Sequence, residues 1–307
     1  MKKVIVTGNA HPILMQTLTE KGFDVDYRPQ VSYEEIKNNG QDVSGLILTT
    51  RIKVDKELID ALPQLEWIGR LGSGMELVDV DYARSKNILC ASSPEGNRNA
   101  VAEHSLGLLL MQINKMNIAV PEVKQGIWLR DENRGTELFG KTVGIIGYGN
   151  TGSSFARLLQ PFEVTVLAHD KYKTGFENGY IKEAALEQVC DEADIISFNV
   201  PLTGETHHFL NKEFLSRLKK QPLIISACRG KVINTADLID GLKNGQVRGA
   251  CLDVLENEKL NIYTEFEKQQ LAELLSFPGV IVTPHIAGYT HEAFLKMATV
   301  LLGKLGF

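Results

Sequence analysis

The sequence predicts an α/β protein built of two doubly wound parallel-sheet domains. Three observations carry that prediction. Over about the first ninety residues, short apolar runs alternate with amphipathic or capped stretches, the pattern of βαβ units. The alternation restarts near residue 140, after a long helical segment. A length of 307 residues suits two domains of ordinary size.

Taken in order, "KKVIVTG" reads as a first strand, and the stretch from His11 to Lys21 as the helix after it. "FDVDYR" then precedes a helical "SYEEIKNN", "GLILTT" precedes "VDKELIDAL", and "LEWIGRLG" precedes "DVDYARSKN". A long helix rich in Ala, Leu and Met is predicted over roughly Asn99 to Asn117. Later strand candidates are "KTVGIIG", "EVTVLAHD", "ADIISFNV", "PLIISA", "VRGACLDV" and "GVIVTP". A helical pattern from Thr290 to Leu305 closes the chain.

Composition narrows the function classes. Hydrophobic residues make up 43% of the chain, as expected of a globular protein with real cores. A net charge of −5 gives no overall attraction for nucleic acid or an anionic membrane, so neither is expected as a partner. An anionic ligand would need a local basic pocket. The apolar run after "MKK" is too short for a signal sequence, and no run approaches a membrane span. The cysteines, Cys90, Cys190, Cys228 and Cys251, show no metal or CxxC spacing, and there is no HxxxH pattern. The expectation is a reduced, cytoplasmic protein without a metal.

"VGIIGYGNTG" carries Gly147, Gly149 and Gly152 in a GxGxxG pattern. The pattern follows an apolar strand and opens a helical run, and Asp170 ends the next strand 18 residues after Gly152. That context is what a dinucleotide fingerprint requires. The glycines permit a tight turn and close approach of a pyrophosphate, whose charge the helix N-terminus stabilises. Asp170 would accept from ribose hydroxyls and repel a 2′-phosphate, which favours NAD over NADP.

Downstream, three residues stand at or after strand ends, where open α/β sheets bind ligands. In "LIISACRGKVI" a permanent cation, Arg229, follows a core strand; it needs an anionic partner, either a structural carboxylate or a substrate. Glu258 lies in "LDVLENEK" and His285 in "VTPHIAG". These types suit oxidation of a 2-hydroxy acid. Histidine, with an ordinary pKa of about 6.5, takes the hydroxyl proton. A neighbouring carboxylate raises that pKa, and arginine binds the substrate carboxylate. Asp253 would then hydrogen-bond the nicotinamide carboxamide.

Through these residues and the motifs around them, the chain resembles the D-isomer-specific 2-hydroxyacid dehydrogenases nearly end to end. "GRLGSG" at 69–74, "AVAEHSLGLLL" at 100–110, "GKTVGIIGYGNTG" at 140–152, "NVPLTGET" at 199–206, "CRGKVI" at 228–233, "LDVLENE" at 252–258 and "TPHIAGYT" at 283–290 are similar to its successive signatures. The resemblance implies Arg229, Glu258 and His285 as the catalytic set. It implies a cofactor site of Gly147, Gly149, Asn150, Thr151, Gly152, Asp170, Val200, Pro201, Thr206, Ala227, Cys228, Asp253, Ala287 and Gly288. It implies a Rossmann NAD domain, residues 97–285, inserted in a flavodoxin-like substrate domain of residues 1–96 plus 286–307. A homodimer or homotetramer is implied, with the long helix and the arm after it at the interface.

Within the family, "GRLGSGMELVDVDYA" and "NRGTELFGKTVGIIG" look most like the phosphoglycerate branch. The amides of Gly72, Ser73 and Gly74 would then bind the substrate carboxylate, and Arg51, Arg70 and Arg130 its phosphate. The basic residue expected at the position of Thr49 stands instead at Arg51, Ser226 replaces an Asn, and Lys259 replaces a Pro. No serine feedback through a C-terminal regulatory domain is expected of a chain ending at Phe307. Other readings are a glyoxylate/hydroxypyruvate reductase and an NAD-sensing, corepressor-like protein-binding module.

Overall fold

The computed structural model describes every residue from Met1 to Phe307. The chain divides into two compact units, Met1–Asn99 with Tyr289–Phe307, and Ala100–Gly288. Each boundary lies slightly later in the chain than the sequence reading puts it.

The first unit is a five-stranded, all-parallel sheet: β1 (Lys3–Val6), β2 (Asp24–Tyr27), β3 (Val43–Leu48), β4 (Trp67–Arg70) and β5 (Leu89–Ser92), in the order β2-β1-β3-β4-β5. Its central strands are buried on both faces, so they read as continuous apolar runs. Successive residues point to opposite faces. Ile5, Leu46 and Ile68 therefore enter one core, and Val4, Val6, Ile47 and Trp67 the other. The second core is completed by the C-terminal helix, His291–Leu305, through Ala298, Leu301, Leu302 and Leu305. Helix starts follow the expected capping chemistry. Ser32 and Glu35 form a reciprocal capping box, and Asp55, Asp79 and Thr290 each accept an amide from the first turn.

The second unit holds seven parallel strands: β6 (Thr142–Ile146), β7 (Thr165–His169), β8 (Ile181–Glu183), β9 (Ile195–Phe198), β10 (Leu223–Ser226), β11 (Gly249–Leu252) and β12 (Val280–Val282). Their order is β12-β11-β10-β9-β6-β7-β8, so direction of winding reverses between β6 and β9. That switch point opens a crevice at the carboxyl edge, the place where such sheets bind ligands. Helices pack on both faces. Ile145, Ile195 and Ile225 face a core with Phe155, and Ile146, Ile196 and Ile224 face a core with Phe214.

One helix departs from the sequence reading. The stretch predicted as Asn99 to Asn117 is a helix over Pro94–Ile113, followed by a second over Met116–Lys124. Pro94 suits a first helical turn, which moves the start forward. Lys115 adopts a left-handed φ of 54°, which ends one helix and starts the next. No helix is long and apolar enough to cross a membrane.

Candidate active site

The glycine loop follows β6 at the switch point, and each glycine answers a different constraint. Gly147 has φ 93°, and a Cβ there would lie 2.5 Å from the Asn199 carbonyl oxygen. A Cβ on Gly152 would lie 2.0 Å from the Gly147 carbonyl oxygen, so the helix Asn150–Leu159 can pack against the loop only without one. At Gly149 the added Cβ meets no protein atom within 4 Å. Nothing in the chain itself requires a glycine there, whereas a ligand approaching the backbone would. The helix also begins without a side-chain cap, leaving its first amides, including those of Asn150 and Thr151, toward the loop. This is the arrangement a pyrophosphate needs, and the residues present fit a dinucleotide.

Val200 and Pro201 follow β9 on the other side of the crevice; Val200 Cγ1 would lie 2.9 Å from a Cβ on Gly147. The Thr206 hydroxyl closes the turn after them, donating to the Pro201 carbonyl at 2.5 Å and accepting the Thr203 amide at 2.8 Å. Asp170 stands just beyond β7. Its carboxylate accepts the amides of Tyr148 (2.8 Å), Tyr172 (2.9 Å) and Lys173 (3.0 Å). A carboxylate offers about four lone-pair directions, so these bonds fix Asp170 against the glycine loop and leave little unsatisfied.

Three loops at the carboxyl edge carry the catalytic candidates. The loop after β10 brings Ala227, Cys228 and Arg229. The Cys228 thiol is pushed up by burial, although Ser226 and nearby backbone groups oppose that, and it serves as a small neighbour rather than a thiolate. Arg229 donates from Nη1 to the Cys228 carbonyl at 2.7 Å. The glycine after it is dictated by packing: a Cβ on Gly230 would lie 1.8 Å from the Leu255 carbonyl oxygen, so only Gly lets this loop meet the one after β11. That second loop carries Glu258.

The third loop, after β12, carries His285. Its Nδ1 lies 2.9 Å from Glu258 Oε2, and both side chains are about half exposed. The Glu258 hydrogen bond raises the His285 pKa above its ordinary value; burial and Arg229 pull the other way but lose. At Glu258, burial favours the neutral acid. The His285 hydrogen bond and charge, with smaller help from the Leu255 amide and Arg229, outweigh it and lower the carboxyl pKa. The structure thus brings Arg229, Glu258 and His285 into one electrostatic cluster.

The sequence reading gives Asp253 to the nicotinamide carboxamide. In the structure its side chain is 0% exposed, and its oxygens accept from the chain itself: the amides of Ile286 (3.0 Å) and Ala287 (2.7 Å) and the Thr283 hydroxyl (2.5 Å). Ala287 is thereby fixed, with Gly288 next to it at the unit's end. Sequence reasoning missed His104, whose Nε2 lies 2.9 Å from the Thr283 hydroxyl. It also missed a second histidine–carboxylate pair, His208 and Glu256 at 2.7 Å; Glu256 additionally accepts the Thr235 amide. The His208 amide donates to the Lys231 carbonyl, so this pair ties together the loops after β9, β10 and β11.

The residues expected to bind substrate in the first unit are differently placed. Arg51 is exposed, but its Nη2 is engaged by the chain itself. Nη2 donates to the backbone carbonyls of Thr7 (3.0 Å), Pro29 and Val31 (3.4 Å), clamping the strand ends. Arg70 is 8% exposed and donates to the Leu71 carbonyl. The Gly72 amide donates to the buried Ser93 hydroxyl at 3.2 Å, which leaves the amides of Ser73 and Gly74 from the expected nest. In the second unit, Arg130 is exposed on the arm, beside Val123, Ile127, Trp128 and Leu129.

A strand-order switch, a ligand-ready glycine loop and an acid at the end of the next strand define a dinucleotide-binding α/β domain. Comparison with known proteins is more specific. Residues 106–287 match the family described as D-isomer specific 2-hydroxyacid dehydrogenase, NAD binding domain, and the chain belongs to this family. It is 31% identical to the D-3-phosphoglycerate dehydrogenase of Methanocaldococcus jannaschii over 99% of this chain but 57% of that protein. It therefore spans little more than half the length of such relatives. It is 34% identical to the glyoxylate reductase of Thermofilum pendens, over 87% of this chain and 78% of that one. A glyoxylate reductase structure from Paecilomyes thermophila superposes with a TM-score of 0.88 at 25% identity, covering 99% and 94% of the two chains.

Proposed function

We propose that this chain is an NAD-dependent dehydrogenase of D-2-hydroxy acids that also reduces the corresponding 2-keto acids. The observation that carries the reading is the His285–Glu258 contact at 2.9 Å, with Arg229 acting on both, in a unit that carries the dinucleotide loop. Glu258 accepts the Nδ1 proton of His285, which leaves Nε2 as the basic nitrogen of the neutral ring. Nε2 takes the substrate hydroxyl proton as the C2–H bond breaks and C2–O becomes a carbonyl. NAD, when bound, supplies the acceptor for the hydride. Glu258 then stabilises the imidazolium, and Arg229 holds the substrate carboxylate. In the reverse direction the imidazolium returns its proton to the carbonyl oxygen. The carboxylate of Asp170 beside the glycine loop supports NAD over NADP.

The leading substrate is D-3-phosphoglycerate, oxidised to 3-phosphohydroxypyruvate as a step towards serine. The extent of similarity to a D-3-phosphoglycerate dehydrogenase supports it. A second reading, reduction of glyoxylate or hydroxypyruvate, is favoured by one observation: Nη2 of Arg51 already donates to backbone carbonyls. NADH formation from 3-phosphoglycerate and from D-glycerate separates the two. A kcat/KM at least about tenfold higher for the phosphorylated acid, a difference of about 1.4 kcal/mol, supports the first. Equal or better use of D-glycerate supports the second. The exposed apolar side chains Val120, Val123 and Trp128, the last at 76% exposure, support assembly into a homodimer or larger homo-oligomer. All four cysteines are free, in keeping with a reduced cytoplasmic setting.

A further inference from the structure

Behind His285 lies a polar network that no part of the proton transfer uses. The Thr283 hydroxyl has one proton, and at 2.5 Å it is donated to Asp253 Oδ1. The 2.9 Å contact between Thr283 Oγ1 and His104 Nε2 must then have His104 as donor. That nitrogen is also 3.5 Å from Asp253 Oδ1. A buried carboxylate is thus surrounded by two side-chain groups and the amides of Ile286 and Ala287. Those two amides follow directly on His285, whose own amide bonds the Thr283 carbonyl at 3.0 Å and whose φ is 55°. A histidine holds a left-handed backbone only where its surroundings over-determine it. Here the surroundings are Asp253, and Asp253 is aimed by Thr283 and His104.

We propose that Thr283 and His104 are positioning residues: through the buried Asp253 they fix the turn that presents the His285 imidazole to Glu258. The inference rests on the reading of His285 as the acid–base group, but its test does not depend on turnover. Thr283→Val keeps the shape and removes the hydroxyl; Thr283→Ser keeps the hydroxyl. The His285 ring is followed by NMR titration, assigned with His285→Ala, alongside kcat, NADH affinity and melting temperature.

In the wild type, His285 should titrate above about 6.5. In Thr283→Val its pKa should fall toward that value, with kcat down on the order of 100-fold and NADH affinity within about twofold, because a misplaced group costs rate rather than cofactor binding. Thr283→Ser should restore both titration and rate. Wild-type titration and kcat in Thr283→Val would overturn the proposal, as would a lowered melting temperature with an unmoved titration. If Thr283→Val does not fold, His104→Phe decides: a downward shift supports the network, and wild-type behaviour overturns it. A shifted titration in a protein that turns over no 2-hydroxy acid would leave the network standing and remove the proposed activity instead.

Discussion

His285 occupies a backbone conformation that costs an ordinary residue about 1–2 kcal/mol. In return its imidazole is held against Glu258, and in the proposed reaction Nε2 is the nitrogen that meets the substrate. The pairing has a direct pH consequence. Oxidation needs the neutral ring, so activity in that direction rises as pH passes through the His285 pKa, which the Glu258 hydrogen bond raises above its ordinary value. Glu258→Gln keeps an acceptor for Nδ1 but removes the charge. The acidic limb of kcat/KM for oxidation is then expected to move to lower pH, and for reduction the fall in rate likewise begins at lower pH. A pH–rate profile of the two proteins checks this; an unmoved limb would remove Glu258 from the role given to it. At this scale the sequence was legible where a residue stands at a strand end within a recognisable motif, as for Arg229, Glu258 and His285, which the fold brings together. It was silent on His104 and Thr283, which are 179 residues apart and meet only in the folded chain. The partners of Arg51 were hidden for the same reason: the carbonyls that engage its Nη2 come from segments that only the fold brings together.

Among the elements, the glycine loop separates folding from binding. Gly149→Ala places a methyl group in space that no protein atom occupies, at a φ of −84° that alanine adopts freely. Stability should change by no more than about 0.5 kcal/mol, while NADH affinity, measured by fluorescence, should fall at least about tenfold. Gly152→Ala forces a Cβ toward the Gly147 carbonyl oxygen, so it should cost stability, roughly 1–3 kcal/mol by denaturant titration. Equal effects of the two on melting would contradict this division. The loop was legible because strand, glycines, helix and acid recur at fixed spacing. β8 was not: three residues, Ile181–Glu183, carry too little periodicity to register. The break at Lys115 was missed because the apolar pattern continues across it, and the left-handed residue that ends the helix has no sequence mark of its own.

The whole molecule repeats one design twice, with parallel sheets whose order changes hand beside β1 and beside β6. The second copy carries the cofactor loop, the catalytic candidates and the match to the family's NAD-binding domain. The alternation of strands and helices made this architecture readable without coordinates, since each buried parallel strand must be apolar on both faces. Substrate choice was not readable to the same degree, because it depends on where a few guanidinium groups point. The most direct test of the central claim compares D- and L-glycerate, together with 3-phosphoglycerate, as substrates for NAD reduction by the wild type and by His285→Ala. Turnover of a D-acid and not its L-isomer is expected, reduced on the order of 100-fold or more in the variant, with NADH binding retained. Turnover in His285→Ala equal to the wild type, or no turnover of any of these acids by a wild type that binds NADH, would contradict it.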